Sequence, residues 1–131
     1  VDSTAYKIQL ILHVLMAVVA FGPLFVLPRL HRADADAAAK FHLRVSLPAL
    51  VLTWVFGMGL MGLSDKAWGF GQLWIDLSTL LWVVLVAVAA AVIAPGLRKG
   101  AEGRARVAAG MGVSHLLVVV VLALMVFKPG I

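Results

Sequence analysis

Apolar residues follow one another in four long runs, Tyr6–Leu27, Phe41–Leu63, Leu73–Ala94 and Val107–Phe127, with short polar stretches between them. Each run reaches or exceeds the ~20 residues a helix needs to cross a hydrocarbon layer about 30 Å thick. Each therefore predicts a transmembrane helix. Short connections make consecutive helices antiparallel neighbours. The expected fold is all-α, an integral membrane four-helix bundle with up-down-up-down topology and both termini on the outer side. It forms one domain over residues 1–131.

Breaker residues refine the pattern. Pro23 lies inside the first run and should kink it, because its ring removes a backbone hydrogen bond and crowds the preceding turn. Pro28 then ends the run. The connection Arg29–Lys40, with Asp34, Asp36 and an Ala-rich stretch, predicts a short surface helix or turn. The second run carries Ser46, Pro48, Thr53 and the small cluster Gly57, Gly59 and Gly62. Such glycines predict close approach of a neighbouring helix, since packing joins helices in lipid. Gly69 and Gly71 supply an outer turn, and Trp68 and Trp74 mark an interface with the headgroups. The third helix should end at Pro95-Gly96 and the fourth at Pro129-Gly130. The first run is too long for a signal-peptide core and lacks a basic leader, so no cleavable signal is expected. The start at Val1, without methionine, points to trimming or processing.

Composition supports the lipid reading: 63% of residues are hydrophobic and 13% charged. The charged share is about half that of a soluble domain. The chain has no cysteine, which excludes disulfides, thiolate metal sites, covalent c-type haem attachment and cysteine nucleophiles. A net charge of +5 suggests nucleic acid until its distribution is read. Arg29, Arg32, Lys40 and Arg44 lie between the first two runs, and Arg98, Lys99, Arg104 and Arg106 between the last two. Only Lys7, Lys66 and Lys128 lie on the other side. That asymmetry follows the positive-inside rule and makes the basic loops 29–44 and 98–106 cytoplasmic, as in a bacterial inner membrane. Anionic headgroups, not nucleic acid, are the natural partners of those loops.

Ionisable groups at membrane depth are costly and so tend to mark function. His13, Asp76 and His115 are the three here. His13 shares a helix face with Gln9, four residues earlier, and Met16 continues that stripe. Bundles commonly hold cofactors between facing helices, and paired imidazoles ligate haem iron. His13 lies ~10 Å and His115 roughly 18 Å from the outer ends of their helices, so the pair is offset by about 8 Å along the membrane normal. Each histidine also reads as a packing residue that hydrogen-bonds across the bundle. His13, Met16, Met111 and His115 form a second candidate set, since thioether plus imidazole suits Cu(I). Methionine equally serves as a gap filler in cores.

Asp76, with Ser78 and Thr79 nearby, sits at the start of the third helix. A carboxylate there suits proton transfer, or simply the positive end of the helix dipole. His31 and His42 are expected at the cytoplasmic surface. Trp54 and Trp82 fall mid-span, walling a cavity or filling the core. The string Gly57-x-Gly59-x-x-Gly62 imitates a dinucleotide fingerprint, but no strand precedes it.

Several stretches are familiar as a set. Lys7…His13-Val14 followed by Leu27-Pro28-Arg29-Leu30 resembles the first helix of the HemJ-type protoporphyrinogen oxidases. Leu47-Pro48-Ala49-Leu50…Phe56-Gly57 resembles their second helix, and Phe127-Lys128-Pro129-Gly130 their closing segment. The wider group includes CopD-like copper-resistance membrane domains. The resemblance implies a haem b protein that oxidises protoporphyrinogen IX, with His13 as an iron ligand. The family's third-helix lysine has no counterpart: Ser78 stands at about its place. Three functional expectations follow. The first is a haem-binding redox protein using His13, with His115 as second ligand. The second is a copper-handling protein. The third is a non-catalytic membrane subunit or small pore, assembling as a homo-oligomer or within a larger complex through the Gly57–Gly62 face.

Overall fold

The computed structural model describes residues 3–129, so the expected stop at Gly130 lies outside the described residues. Among these, every regular element is helical. Helix α1 (Thr4–Phe21) begins at Ser3, whose hydroxyl oxygen accepts the Tyr6 N–H at 3.1 Å. A 3-10 turn, Gly22–Phe25, follows at Pro23, as the kink expectation requires. Then come α2 (Leu27–Ala33) and α3 (Ala35–Phe41), and α3 runs through a π turn, His42–Ser46, into α4 (Leu47–Gly62). After the outer turns, α5 (Leu73–Val88) passes through a second π turn, Ala89–Ile93, into α6 (Ala94–Arg98). A 3-10 turn, Gly100–Gly103, leads into α7 (Arg104–Phe127). Four continuous helical stretches, Thr4–Phe25, Ala35–Gly62, Leu73–Arg98 and Gly100–Phe127, are long and apolar enough to cross a membrane. We call them spans 1 to 4.

The two π turns have one cause. Each ends two residues before a proline, Pro48 or Pro95. Proline offers no N–H to the carbonyl one turn back, so the ladder slips to i→i+5 spacing. The Leu47 N–H reaches the His42 carbonyl, and the Ala94 N–H reaches that of Ala89. Pro95 also leaves the Ala91 carbonyl without its normal donor, and the Arg106 guanidinium donates to that oxygen at 2.7 Å. The third helix therefore continues past Pro95-Gly96 to Arg98 instead of stopping there. Pro28 likewise opens α2 in its first turn instead of closing the run, a position where its missing N–H costs nothing.

Two apolar clusters hold the spans together. One joins Leu24 and Leu27 to Ala38, Ile93, Leu97, Val107 and Met111. The other joins Ala20, Ala49, Leu50, Leu85 and Ala89. The first cluster draws on α2 and α3, so the 29–40 connection is not a surface segment: Asp34 caps α3, and Ala38 is fully buried. His31 and His42, expected at the surface, are 4% and 1% exposed. The flanks are different. Phe25, Val126 and Phe127 are exposed by more than two thirds, and large apolar side chains dominate the outer surface of every span. In water such a surface would be intolerable; against lipid tails it is the expected finish.

Glycine permits the closest backbone approach at one place. Gly96 of α6 and Gly103 meet so closely that a Cβ on Gly103 would overlap the Gly96 carbonyl. Gly110 does a milder version of the same, facing Val92 and Ile93. The Gly57–Gly62 cluster behaves otherwise. Gly57 and Gly59 face side chains of span 1 within the same chain, and Gly62 faces open space.

Candidate functional site

Span 1 presents Gln9 and His13 on one face, one helical turn apart, toward α4. The His13 Nδ1–H donates to the Thr53 carbonyl at 2.7 Å, and Gln9 Nε2 donates to the Phe56 carbonyl at 3.3 Å. Both side chains occupy space that glycine leaves. A Cβ on Gly57 would lie 3.1 Å from His13 Cε1, and one on Gly59 would overlap the Gln9 amide. Thr53 turns its hydroxyl back to the Ala49 carbonyl at 2.8 Å, which leaves its own carbonyl to receive the imidazole. The carbonyl is only an acceptor, so the bond fixes the tautomer: Nδ1 carries the proton and Nε2 keeps its lone pair. The ring is half-buried, and Nε2 is not among the sealed polar atoms of the bundle.

His115 is placed elsewhere. Its ring stacks on Phe25 at 4.5 Å and 11°, and its buried Nε2 has no hydrogen-bond partner. Phe25 lies twelve residues beyond His13 on span 1, which is roughly 18 Å along a helix. His13 and His115 thus occupy different levels, and the structure does not bring them to one point. The copper set divides in the same way, since Met16 packs against the Ala20–Leu50 cluster and Met111 belongs to the Leu24–Leu27 cluster. Among the described residues, no group of three or more His, Cys, Asp or Glu side chains is gathered as a metal site.

Asp76 lies exposed in the first turn of α5 and accepts the Gly71 N–H at 3.1 Å. It closes the turn that starts α5, which agrees with the dipole reading. Ser78 is buried with an unpartnered hydroxyl, and Trp74, one turn earlier, keeps an unpartnered indole N–H. Thr79 is half-buried beside them. The Trp68 indole donates to the Tyr6 hydroxyl at 3.0 Å, while Lys128 Nζ stands 5.4 Å from the ring centres of both Trp68 and Trp74. Trp54 and Trp82 stack at 5.4 Å, and Trp82 donates to the Leu50 carbonyl at 2.9 Å. Both rings are half-buried, and neither lines the cavity shared by the four spans.

Sequence reasoning missed His42. Its Nε2–H donates to the Ala89 carbonyl at 2.9 Å, joining the first residues of the two π turns, and Nδ1 is buried without a partner. His42, Ser46 and Ser114 line a cavity of about 10 Å3 that also touches Ala20, Leu85 and Ala89, so all four spans contribute to it. That is the volume of one water site. The signal was present: Ala38, His42, Ser46, Leu50 and Thr53 recur near every fourth position, a single buried helix face running straight through the basic segment.

No family model, no curated protein and no solved structure matches this chain.

Proposed function

We propose that this chain is an integral membrane haem protein with a redox role, resembling the HemJ-type protoporphyrinogen IX oxidases, in which His13 supplies an iron ligand. The observation that carries this reading is the His13 ring itself. Metal-ligating histidines characteristically donate their second N–H to a carbonyl or carboxylate, which orients the ring and raises its basicity. Thr53 provides that carbonyl at 2.7 Å, and Gly57 provides the room. A haem b bound there would supply one-electron chemistry. Of the candidate donors, His13 would hold the iron from this chain. The cavity shared by the four spans is of single-water size, so a haem held by His13 would lie at the flank of the bundle. Gln9, one turn from His13, stiffens the same seat through Phe56.

The proposed topology is up-down-up-down, with the termini outside and the basic segments 29–44 and 98–106 facing the cytoplasm of a bacterial cell. Tyr6, Trp68, Trp74 and Lys128 gather at one end and the basic segments at the other, in keeping with this. Because the chain lacks cysteine, single Asp34→Cys and Lys66→Cys variants report sidedness cleanly. Only the second should react with an impermeant thiol reagent added outside intact cells.

The decisive test is an oxidised-minus-reduced visible spectrum of gently purified protein beside its His13→Ala variant. A Soret band that shifts on reduction and vanishes in the variant supports the reading. A flat spectrum despite haem supplementation overturns it. It would favour a second reading, a non-catalytic membrane subunit, for which the specific observation is that His13 and Gln9 fill glycine gaps as packing residues.

A further inference from the structure

At the basic end of the bundle, α2 and the first turns of α7 part to leave a cleft of about 380 Å3. Its walls carry His31, Arg32 and Arg104, with Pro28, Ala105 and Ala108 between them. Two observations there are unexplained by packing. His31 is 4% exposed, yet its Nε2 has no partner. Arg32 and Arg104 are exposed and make no hydrogen bond or ion pair to the described residues, where the one ion pair is Lys40–Asp36. The helical stretch that carries Arg104 starts one turn earlier, at Gly100, so its positive end meets Glu102 and not the cleft. Arg106, two residues on, shows what an engaged arginine looks like here: it is committed to the Ala91 carbonyl. The nearest acid in sequence, Glu102, is exposed and does not line the cleft.

We infer that this cleft binds a phosphate-class oxyanion, held by the Arg32 and Arg104 guanidinium groups, with the His31 ring in its wall. Two planar guanidinium forks match the geometry of a phosphate, and charge-assisted bonds to them are about twice as strong as neutral ones. A planar carboxylate is filled by one guanidinium fork, whereas a tetrahedral oxyanion takes two. The phosphate is presented by a lipid headgroup or arrives free in solution. The inference does not rest on haem binding, and its test reads no spectrum.

The experiment uses the full chain in a zwitterionic detergent with two probes, a dioleoyl phosphatidylglycerol titration and inorganic phosphate, and phosphatidylcholine as the neutral-headgroup reference. The readouts are lipid retention by native mass spectrometry and the shift in melting temperature. The Arg32→Gln/Arg104→Gln protein is compared with Arg98→Gln/Lys99→Gln, which removes the same charge at the same end outside the cleft. Loss of two charge-assisted bonds should raise the half-saturating concentration of the binding probe at least about tenfold. The control should change it by no more than about twofold, as expected of screened surface charge. Both arginines are exposed and unpartnered, so the variant is expected to fold; unchanged helicity by circular dichroism verifies that. Saturation by phosphatidylglycerol alone assigns the phosphate to a lipid; saturation by inorganic phosphate as well assigns it to the free anion; each supports the site. Equal losses in both double variants, or no preference over phosphatidylcholine, overturn it.

Discussion

His13 and His42 each donate one ring N–H to a main-chain carbonyl of another span, His13 to Thr53 and His42 to Ala89. They reach that bond by opposite means. Around His13 the helices are regular, and room comes from a missing side chain at Gly57. Around His42 no glycine makes the space; the backbone itself is re-routed, with a π turn on each partner. The first solution leaves the ring half-buried, tied to the neighbouring span through Nδ1. The second seals the ring, 1% exposed, among all four spans. Deleting a side chain thus gives a half-buried imidazole, whereas bending the main chain gives a sealed one. The two also differ in cost: a half-buried ring that loses its bond has other contacts, and a sealed one does not.

The comparison breaks most visibly at Gly103. Gly103→Ala drives a Cβ into the Gly96 carbonyl beside the second π turn, and backbone must move. It should destabilise the protein by about 3 kcal/mol, the upper range for overpacking, read as a lowered thermal midpoint in detergent. His42→Ala comes next, at roughly 2–3 kcal/mol, from lost volume at a fully packed position plus a lost hydrogen bond. His13→Ala should cost only about 1 kcal/mol, the usual worth of an interhelical polar contact in membrane proteins, while abolishing any haem signal. Equal losses for the two histidines would erase the distinction. Arg106→Gln exposes the carbonyl orphaned by Pro95 and should cost about 1 kcal/mol, visible as faster amide exchange near Ala91. Gly62→Ala, facing open space, should be neutral or stabilising by roughly 0.5 kcal/mol.

Much of the half around His13 was legible in the sequence. The apolar runs gave one end of each span to within two residues but began spans 2 and 4 six and seven residues late, and the four-residue spacing put Gln9 and His13 on one face. What the pattern did not reveal was their partner: the glycines of α4 were read as a helix-to-helix seam, because a glycine gap looks the same whether a backbone or a side chain fills it. The half around His42 was harder. Charges at Arg29, Arg32, Lys40 and Arg44 masked an apolar stripe, Leu24, Leu27 and His31, that continues down the first two elements. Pro28 and Pro95 read as endings, and here both stand in the first turn of a helix, as Pro48 does. Burial of His31 follows from its place on that stripe, not from its polarity.

A π turn accommodates one residue more than an α-helical turn of the same rise. His42–Ser46 can therefore be viewed as a single-codon insertion absorbed without breaking the span. Removing Val45 from it would restore an ordinary helix and rotate everything before the deletion by about 100° relative to α4. Such a phase change would swing His42 away from Ala89 and carry the whole basic end around with it, while the His13 seat stayed where it is. One codon in that stretch sets the angular alignment between the two halves of the protein.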